Sequence, residues 1–291
     1  MNLKQIYKNV WDILKKVRAE SAELDTAVII AHILQKDKTF VLSHPEFELG
    51  ESQKEKILDL ANKRSKSVPI AYLTGHKEFF GYDFLVDEKV LIPRPETEFL
   101  VEQAIEFIKI KSKSCSALDV GTGSGCIVIS LIKSLSPSAA PTLKPLFYAT
   151  DISEKALDVA KKNAEIHGVQ DKITFFDSDL FSNPRLPARF DLIIANLPYV
   201  PLKDESEKLK DESISFEPQD AIFADENGAE TIKKFIAQSK DRITKDGLIL
   251  IELDPRNAEE IKKTAEHYFP AAKIETKKDL ANHDRYLIIQ T

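Results

Sequence analysis

The chain has 291 residues, too many for a single small core, and it fits two domains or one domain with a sizeable extension. Hydrophobic residues make up 43% and charged residues 30%, and no apolar run nears the length of about 18 residues that would suggest a membrane span. Two cysteines exclude a disulfide framework and suit a reducing cytoplasm; a net charge of −6 disfavours general binding of a phosphate backbone.

The charge is uneven. Residues 1–75 carry 12 basic and 10 acidic side chains, so the acidity sits in the remainder. The opening stretch reads as an amphipathic helix and not as a signal peptide, because it lacks a long apolar centre. Leu3, Ile6, Tyr7, Val10, Trp11, Leu14 and Val17 recur at steps of three and four. A second stripe runs through Leu24, Ala27, Val28, Ala31 and Leu34, and a third helix is expected over 51–66. Residues 1–75 are thus an all-helical segment, serving either as a simple packing bundle or as a docking module for a partner.

Residues 76–90 change character. Aromatic and β-branched residues flank Gly81-Tyr82-Asp83, which predicts a short hairpin linking the domains. From about 91 to 291 the runs SALDVG, LFYATDI, ITFFDS, FDLIIANL, GLILIEL, AKIETKK and RYLIIQT read as strands. Helices are expected near 125–135, 153–168, 228–243 and 256–268. That alternation implies an α/β fold with a seven-stranded, mainly parallel sheet covered on both faces, the final strand antiparallel. The segment 134–145, rich in Ser, Pro and Ala, reads as an exposed loop.

Chemistry concentrates at strand ends. Gly121-Thr122-Gly123-Ser124-Gly125 closes the first strand and opens a helix, where open α/β sheets bind ligands. A dinucleotide loop would carry a third glycine where Cys126 stands. Asp151, ending the next strand, suits the two hydroxyls of a ribose, or else an N-cap before Ser153. Asp179 and Leu180, after the third strand, suit an adenine through a hydrogen bond and apolar packing. The three together point to S-adenosylmethionine. No metal-ligand cluster is expected, and the six histidines are scattered.

The fourth strand runs into Asn196-Leu197-Pro198-Tyr199. An amide or exocyclic amine nitrogen is a poor nucleophile, because its lone pair is delocalised. The Asn196 side-chain oxygen and the Leu197 carbonyl are suited to accept its two N–H groups, aiming the nitrogen at a methyl donor and stabilising the charge that develops. Tyr199 is suited to pack on the planar group, Pro198 stiffens the loop, and Asn196 borders the cofactor as well.

At this point the chain resembles the PrmC/HemK family, protein-(glutamine-N5) methyltransferases of peptide-chain release factors. The resemblance rests on Pro69–Gly75, Lys77-Glu78-Phe79, Leu91-Ile92-Pro93-Arg94-Pro95-Glu96-Thr97-Glu98, LDVGTGSGCI, ATDIS, Glu217-Pro218, Asp279-Leu280-Ala281 and Asp284-Arg285. Asp25, Ala31 and His32 of the helical segment also resemble the family's docking domain. It implies a class I Rossmann-like methyltransferase fold and, as substrate, the glutamine of the Gly-Gly-Gln loop of class I release factors. It further implies that Gly121–Gly125, Asp151 and Leu180 hold S-adenosylmethionine and that Asn196–Tyr199 hold the glutamine. A cytoplasmic monomer with no membrane or stable nucleic-acid partner is expected. One departure stands out: the family has Asn-Pro-Pro-Tyr, and here Leu197 replaces the first proline, giving a tetrapeptide also similar to ribosomal RNA adenine dimethyltransferases. The alternatives are an adenine N6-methyltransferase acting on RNA or DNA, a nicotinamide dehydrogenase, and a non-catalytic binding protein of the same fold.

Overall fold

The computed structural model describes residues 1–17, 20–111, 115–135, 145–202, 212–224 and 226–291. Most of the loop expected at 134–145 lies outside the described residues. The chain divides into two units, one built on Met1–His76 and the other on the residues from Lys77 onward, apart from a short segment ending at Phe216.

In the first unit, α1 (Leu3–Lys15) starts at a capping box. The Asn2 side chain accepts from the Gln5 backbone, and the Gln5 side chain accepts from Asn2. Leu3, Ile6, Val10 and Leu14 are buried on one face, as their spacing predicts. Val17 falls beyond the helix end and is exposed. Helix α2 (Ala22–Leu34) departs further from expectation: Leu24 is exposed, whereas Ile29 and Ile30 are fully buried. The reason is packing on several sides. Helices α1, α3 (Lys38–Ser43), α4 (Glu51–Ser65) and α5 (Ile70–Thr74) all touch α2, so no single stripe describes its buried surface. An ion pair pins the bundle: Arg64 Nε donates to Asp25 Oδ2 at 2.7 Å, both side chains buried.

The second unit opens with a hairpin, β1 (His76–Phe79) and β2 (Tyr82–Leu85). Phe79 and Phe84 sink into this unit's core, and the Asn163 side chain bonds both backbone groups of Leu85. There follow α6 (Glu98–Ile110), β3 (Ser116–Val120), α7 (Cys126–Ser134), β4 (Leu146–Asp151), α8 (Glu154–Ile166), β5 (Ile173–Asp177), β6 (Phe190–Asn196), α9 (Gln219–Ile222), α10 (Glu230–Ser239), β7 (Ile243–Glu252), α11 (Ala258–Tyr268), β8 (Lys273–Lys278) and β9 (Asp284–Gln290). The expected helices and seven strands are present; α6 and the short α3, α5 and α9 are additions.

The sheet order is β5-β4-β3-β6-β7-β9-β8. Strands β3 to β7 pair in parallel, and β9 runs antiparallel to both its neighbours. From β3 the chain steps outward to β4 and β5, then returns to the other side of β3 as β6. The C-terminal ends of β3 and β6 therefore flank the point where strand order reverses, the ligand crevice of an open α/β sheet. Residues alternate between two apolar layers: Leu118, Val120, Ile193 and Ile251 face one, and Ala117, Leu192, Ile194 and Leu250 face the other. By that alternation Asp119, Asn196 and Glu252 belong to the face that carries α6.

Candidate active site

The glycine loop after β3 is shaped by three left-handed residues, Gly121 (φ 73°), Gly123 (φ 54°) and Gly125 (φ 80°). The Gly121 and Thr122 amides donate to the Thr150 carbonyl at 2.8 and 2.9 Å, tying the loop to β4. A Cβ at Gly125 would lie 3.0 Å from Ile129 and 3.3 Å from Ala160, so its bareness lets α7 and α8 close on each other. A Cβ at Gly121 would lie 3.0 Å from Leu197 Cδ2. Leu197 thus packs its side chain directly on the glycine loop and joins the apolar layer beneath. Gly123 differs: a Cβ there would meet nothing within 4 Å, so the middle of the loop borders open space.

Asp151 is buried, and its two oxygens accept from the Gly123 and Ser153 amides, each at 2.9 Å. Ser153 is the helix N-cap, its hydroxyl accepting from Ala156. Asp151 therefore braces both loops while keeping lone pairs for hydroxyl donors, since a carboxylate offers about four acceptor sites. Burial raises its pKa, opposed by the Ser153 and Gly123 amides. Asp119, in β3, lies deeper. Thr122 Oγ1 donates to its Oδ2 at 2.7 Å, and its Oδ1 meets no donor among the described residues. Burial pushes its pKa up to about 7. Ser124 Oγ and Thr150 Oγ1 also lack partners among the described residues.

Leu180 is buried at φ 51°, an uncommon backbone for an apolar residue. The Ser178 hydroxyl holds it there, donating to the Leu180 carbonyl at 2.9 Å. Asp179 is exposed, and Lys234 of α10 donates to its Oδ2 at 2.7 Å.

Asn196 ends β6 and is the register partner of Glu252, which ends β7. Thr97, just before α6, sits between their side chains. Asn196 Nδ2 donates to Thr97 Oγ1 at 3.0 Å, and Thr97 Oγ1 donates to Glu252 Oε2 at 2.7 Å. The other oxygen of Glu252 accepts from the Tyr199 hydroxyl at 3.2 Å. Thr97 and Glu252 are 2% and 1% exposed, so the bond between them is dry, while Asn196 and Tyr199 are half-buried. Burial raises the pKa of Glu252; burial and the nearby Glu252 raise that of Tyr199, which keeps its phenol protonated. The loop beyond is strapped as well. Val200 donates to the Ile222 carbonyl and accepts from Ala224, and Gly228 approaches so closely that a Cβ would lie 2.2 Å from the Tyr199 carbonyl. Glu217, also buried, accepts from the Ile92 amide and from Arg94 Nη2 at 2.6 Å.

The structure therefore brings Gly121, Thr122, Gly123, Ser124, Gly125, Asp151, Asn196, Leu197 and Tyr199 to neighbouring strand ends, with Pro198 between the last two. Thr97, Asp119, Glu217 and Glu252 escaped the motif reading as chemical residues. The detectable signal was a single carboxylate in each of two apolar runs, LDV and LILIEL. Among the described residues, no group of three or more His, Cys, Asp or Glu could hold a metal ion, and no helix is long and apolar enough to cross a membrane.

Comparison with known proteins bears on this arrangement. Residues 5–75 match the PrmC N-terminal domain family, and residues 111–286 match a methyltransferase domain family. A release factor glutamine methyltransferase of Leptospira interrogans is 37% identical over 98% of this chain and 96% of its own length. One of Rhodopirellula baltica is 36% identical over 96% of this chain and 93% of its own. The chain belongs to the release factor glutamine methyltransferase family. Among solved structures, the hMettl16 catalytic domain covers 80% of this chain with 82% of its own matched, at a TM-score of 0.56 and 18% identity, a likeness of fold. The family membership carries the fold class with it, a Rossmann-like methyltransferase sheet preceded by a helical segment, and S-adenosylmethionine as methyl donor.

Proposed function

We propose that this chain transfers a methyl group from S-adenosylmethionine to the side-chain amide nitrogen of the glutamine in the Gly-Gly-Gln loop of class I peptide-chain release factors. The observation that carries the reading is the Asn196 carboxamide. Its NH2 is committed to Thr97, which leaves its oxygen as the acceptor available to a substrate N–H.

The residues present fit the cofactor. Gly123 borders open space, Asp151 retains lone pairs for a ribose diol, and Asp119 Oδ1 is an orphaned buried acceptor suited to a cationic ammonium. Gly121, Thr122, Gly123, Ser124, Gly125, Asp151 and Leu180 would hold it, with Asn196 at its edge. Asp179, bonded to Lys234, keeps one oxygen for an adenine amino group. When bound, S-adenosylmethionine supplies a methyl group on a positively charged sulfur.

The protein's part is positioning. Asn196 Oδ1 and the Leu197 carbonyl take the two N–H groups of the glutamine amide and turn its nitrogen towards the methyl carbon. With the sulfonium supplying the methyl, these two acceptor oxygens would stabilise the positive charge that the nitrogen takes on as it receives the group. The extra proton, strongly acidic on the charged amide, would pass afterwards to water, so no strong base is needed beforehand. Orientation of this kind supplies on the order of 7–11 kcal/mol in favourable systems. Leu in place of proline at 197 preserves the carbonyl, and its side chain takes up rigidity by packing on Gly121.

The helical unit, 1–75, is assigned to substrate docking, and 76–90 joins it to the transferase unit, 91–291. A cytoplasmic monomer with no membrane or lasting nucleic-acid partner agrees with the net charge of −6. The test is mass spectrometry of a release factor after incubation with the enzyme and cofactor. One methyl on the Gly-Gly-Gln glutamine is expected; label on RNA or DNA adenine, with none on release factor, would overturn the assignment.

A further inference from the structure

Glu252 is an expensive residue in its place. It is 1% exposed, and the two hydrogen bonds it accepts come from neutral hydroxyls, those of Thr97 and Tyr199. Arg285 lies near enough to offset part of the burial, but neither bond comes from a cation, and a carboxylate held this way costs more to bury than an amide of the same shape. A glutamine would fill the same space and bond the same two hydroxyls. What it would not do is fix the direction of those bonds.

Direction is what the site needs. The Thr97 and Tyr199 hydroxyls and the nearby Arg285 cation favour the carboxylate form of Glu252 against the burial that raises its pKa, and a carboxylate accepts only, so Thr97 must point its one proton at Glu252. The Thr97 oxygen is then left as an acceptor towards Asn196. Asn196 must answer with its NH2, and its oxygen faces the other way. We infer that Glu252, acting through Thr97, is a positioning residue that sets which end of the Asn196 carboxamide faces the substrate. The same carboxylate holds the Tyr199 hydroxyl, so both walls proposed to contact the glutamine are keyed to one group. With an amide at 252, the NH2 can donate to Thr97, Thr97 can donate to the Asn196 oxygen, and the Asn196 NH2 then faces the substrate N–H, donor against donor. The inference rests on the proposed function for its consequence, and on the hydrogen-bond geometry alone for its mechanism.

Two measurements separate these. The first is the side-chain amide signal of Asn196 in 15N-labelled protein, assigned by its loss in Asn196→Asp and observed in the absence of any substrate. In the wild type, one Asn196 amide proton is expected to be protected from solvent exchange by its bond to Thr97. Protection is lost in Glu252→Gln and in Thr97→Val, and is retained in Thr97→Ser. Unchanged protection in Glu252→Gln and Thr97→Val overturns the inference whatever the enzyme's substrate proves to be. The second is turnover on release factor. Glu252→Gln is expected to lower kcat by about 100-fold, the scale of losing one preorganised partner, with KM for release factor changed by no more than about twofold. Thr97→Val shows the same pattern, and Thr97→Ser restores most of the rate. Should Glu252→Gln fail to fold, the Thr97 pair decides. Equal rates in Thr97→Val and Thr97→Ser overturn the inference. A wild-type enzyme that methylates no release factor overturns the functional reading, while the exchange measurement still decides the relay.

Discussion

Replacing Asn196 by alanine separates chemistry from binding. The substitution removes the bond from Nδ2 to Thr97 at 3.0 Å, a partly buried contact whose net worth is about 0.5–1.5 kcal/mol. Thr97 keeps its own donor bond to Glu252, so no buried donor is orphaned. For a transferase unit of this size the loss corresponds to a fall in Tm of about 1–6 °C. The glycine loop and Asp151 are braced independently of Asn196, through Thr150, Gly123 and Ser153. Affinity for S-adenosylmethionine is therefore expected to change by less than about threefold, since no residue of that brace is lost. Methyl transfer loses an acceptor that matters most when charge appears on the nitrogen. That loss is about 2.7–4 kcal/mol, or 100- to 1,000-fold in rate. Isothermal calorimetry gives the affinity, single-turnover methylation of a release factor gives the rate, and a thermal melt gives the stability. A parallel collapse of affinity and rate would refute the reasoning, as would a rate within about tenfold of wild type.

Asp151→Ala removes the acceptor for the Gly123 and Ser153 amides and should weaken cofactor binding by at least about tenfold, with calorimetry as the check; unchanged affinity contradicts the ribose role. Gly121→Ala forces a left-handed alanine, at about 1–2 kcal/mol, and sets a Cβ 3.0 Å from Leu197 Cδ2. The resulting loss of stability in denaturant should shrink when Leu197→Ala is added, and strict additivity of the two would deny the contact. Asp119 titrates at about 7 in the fold, against about 3.9 in an unfolded chain, so the folded state holds its proton more tightly. Its contribution to cofactor-free stability is complete below the unfolded value and is lost as pH rises through the folded one. Denaturant melts across that window should show wild-type stability falling relative to Asp119→Asn; a constant difference between the two would refute the assignment.

The parts of this site written as short runs were legible. Gly121–Gly125 and Asn196–Tyr199 needed only the strand endings that β-rich runs announce, and the sheet followed from their alternation with helices. Two kinds of feature escaped. Helix α2 hid its buried face because several neighbours touch it, so Leu24 matched a stripe that tertiary packing does not use. The Thr97–Glu252 bond joins residues 155 positions apart, and no local spacing encodes such a partnership. Asp179 shows the converse limit, since its place in sequence order carried no word of Lys234.

Strand β9 has a bearing on how this protein is made. It is translated after β8 yet lies between β8 and β7, and its Tyr286 is the register partner of Glu252. The growing chain therefore cannot finish its sheet outward from the centre; the far edge waits for a late segment to slide into an open slot. Until then the rim of β7, with the carboxylate at its tip, lacks its antiparallel neighbour. A nascent chain lacking Asp284–Gln290 should be able to shape the glycine loop, whose ties run to β4, well before Glu252 gains that neighbour. A ligand pocket and a competent catalyst are thus separate milestones in this molecule's maturation.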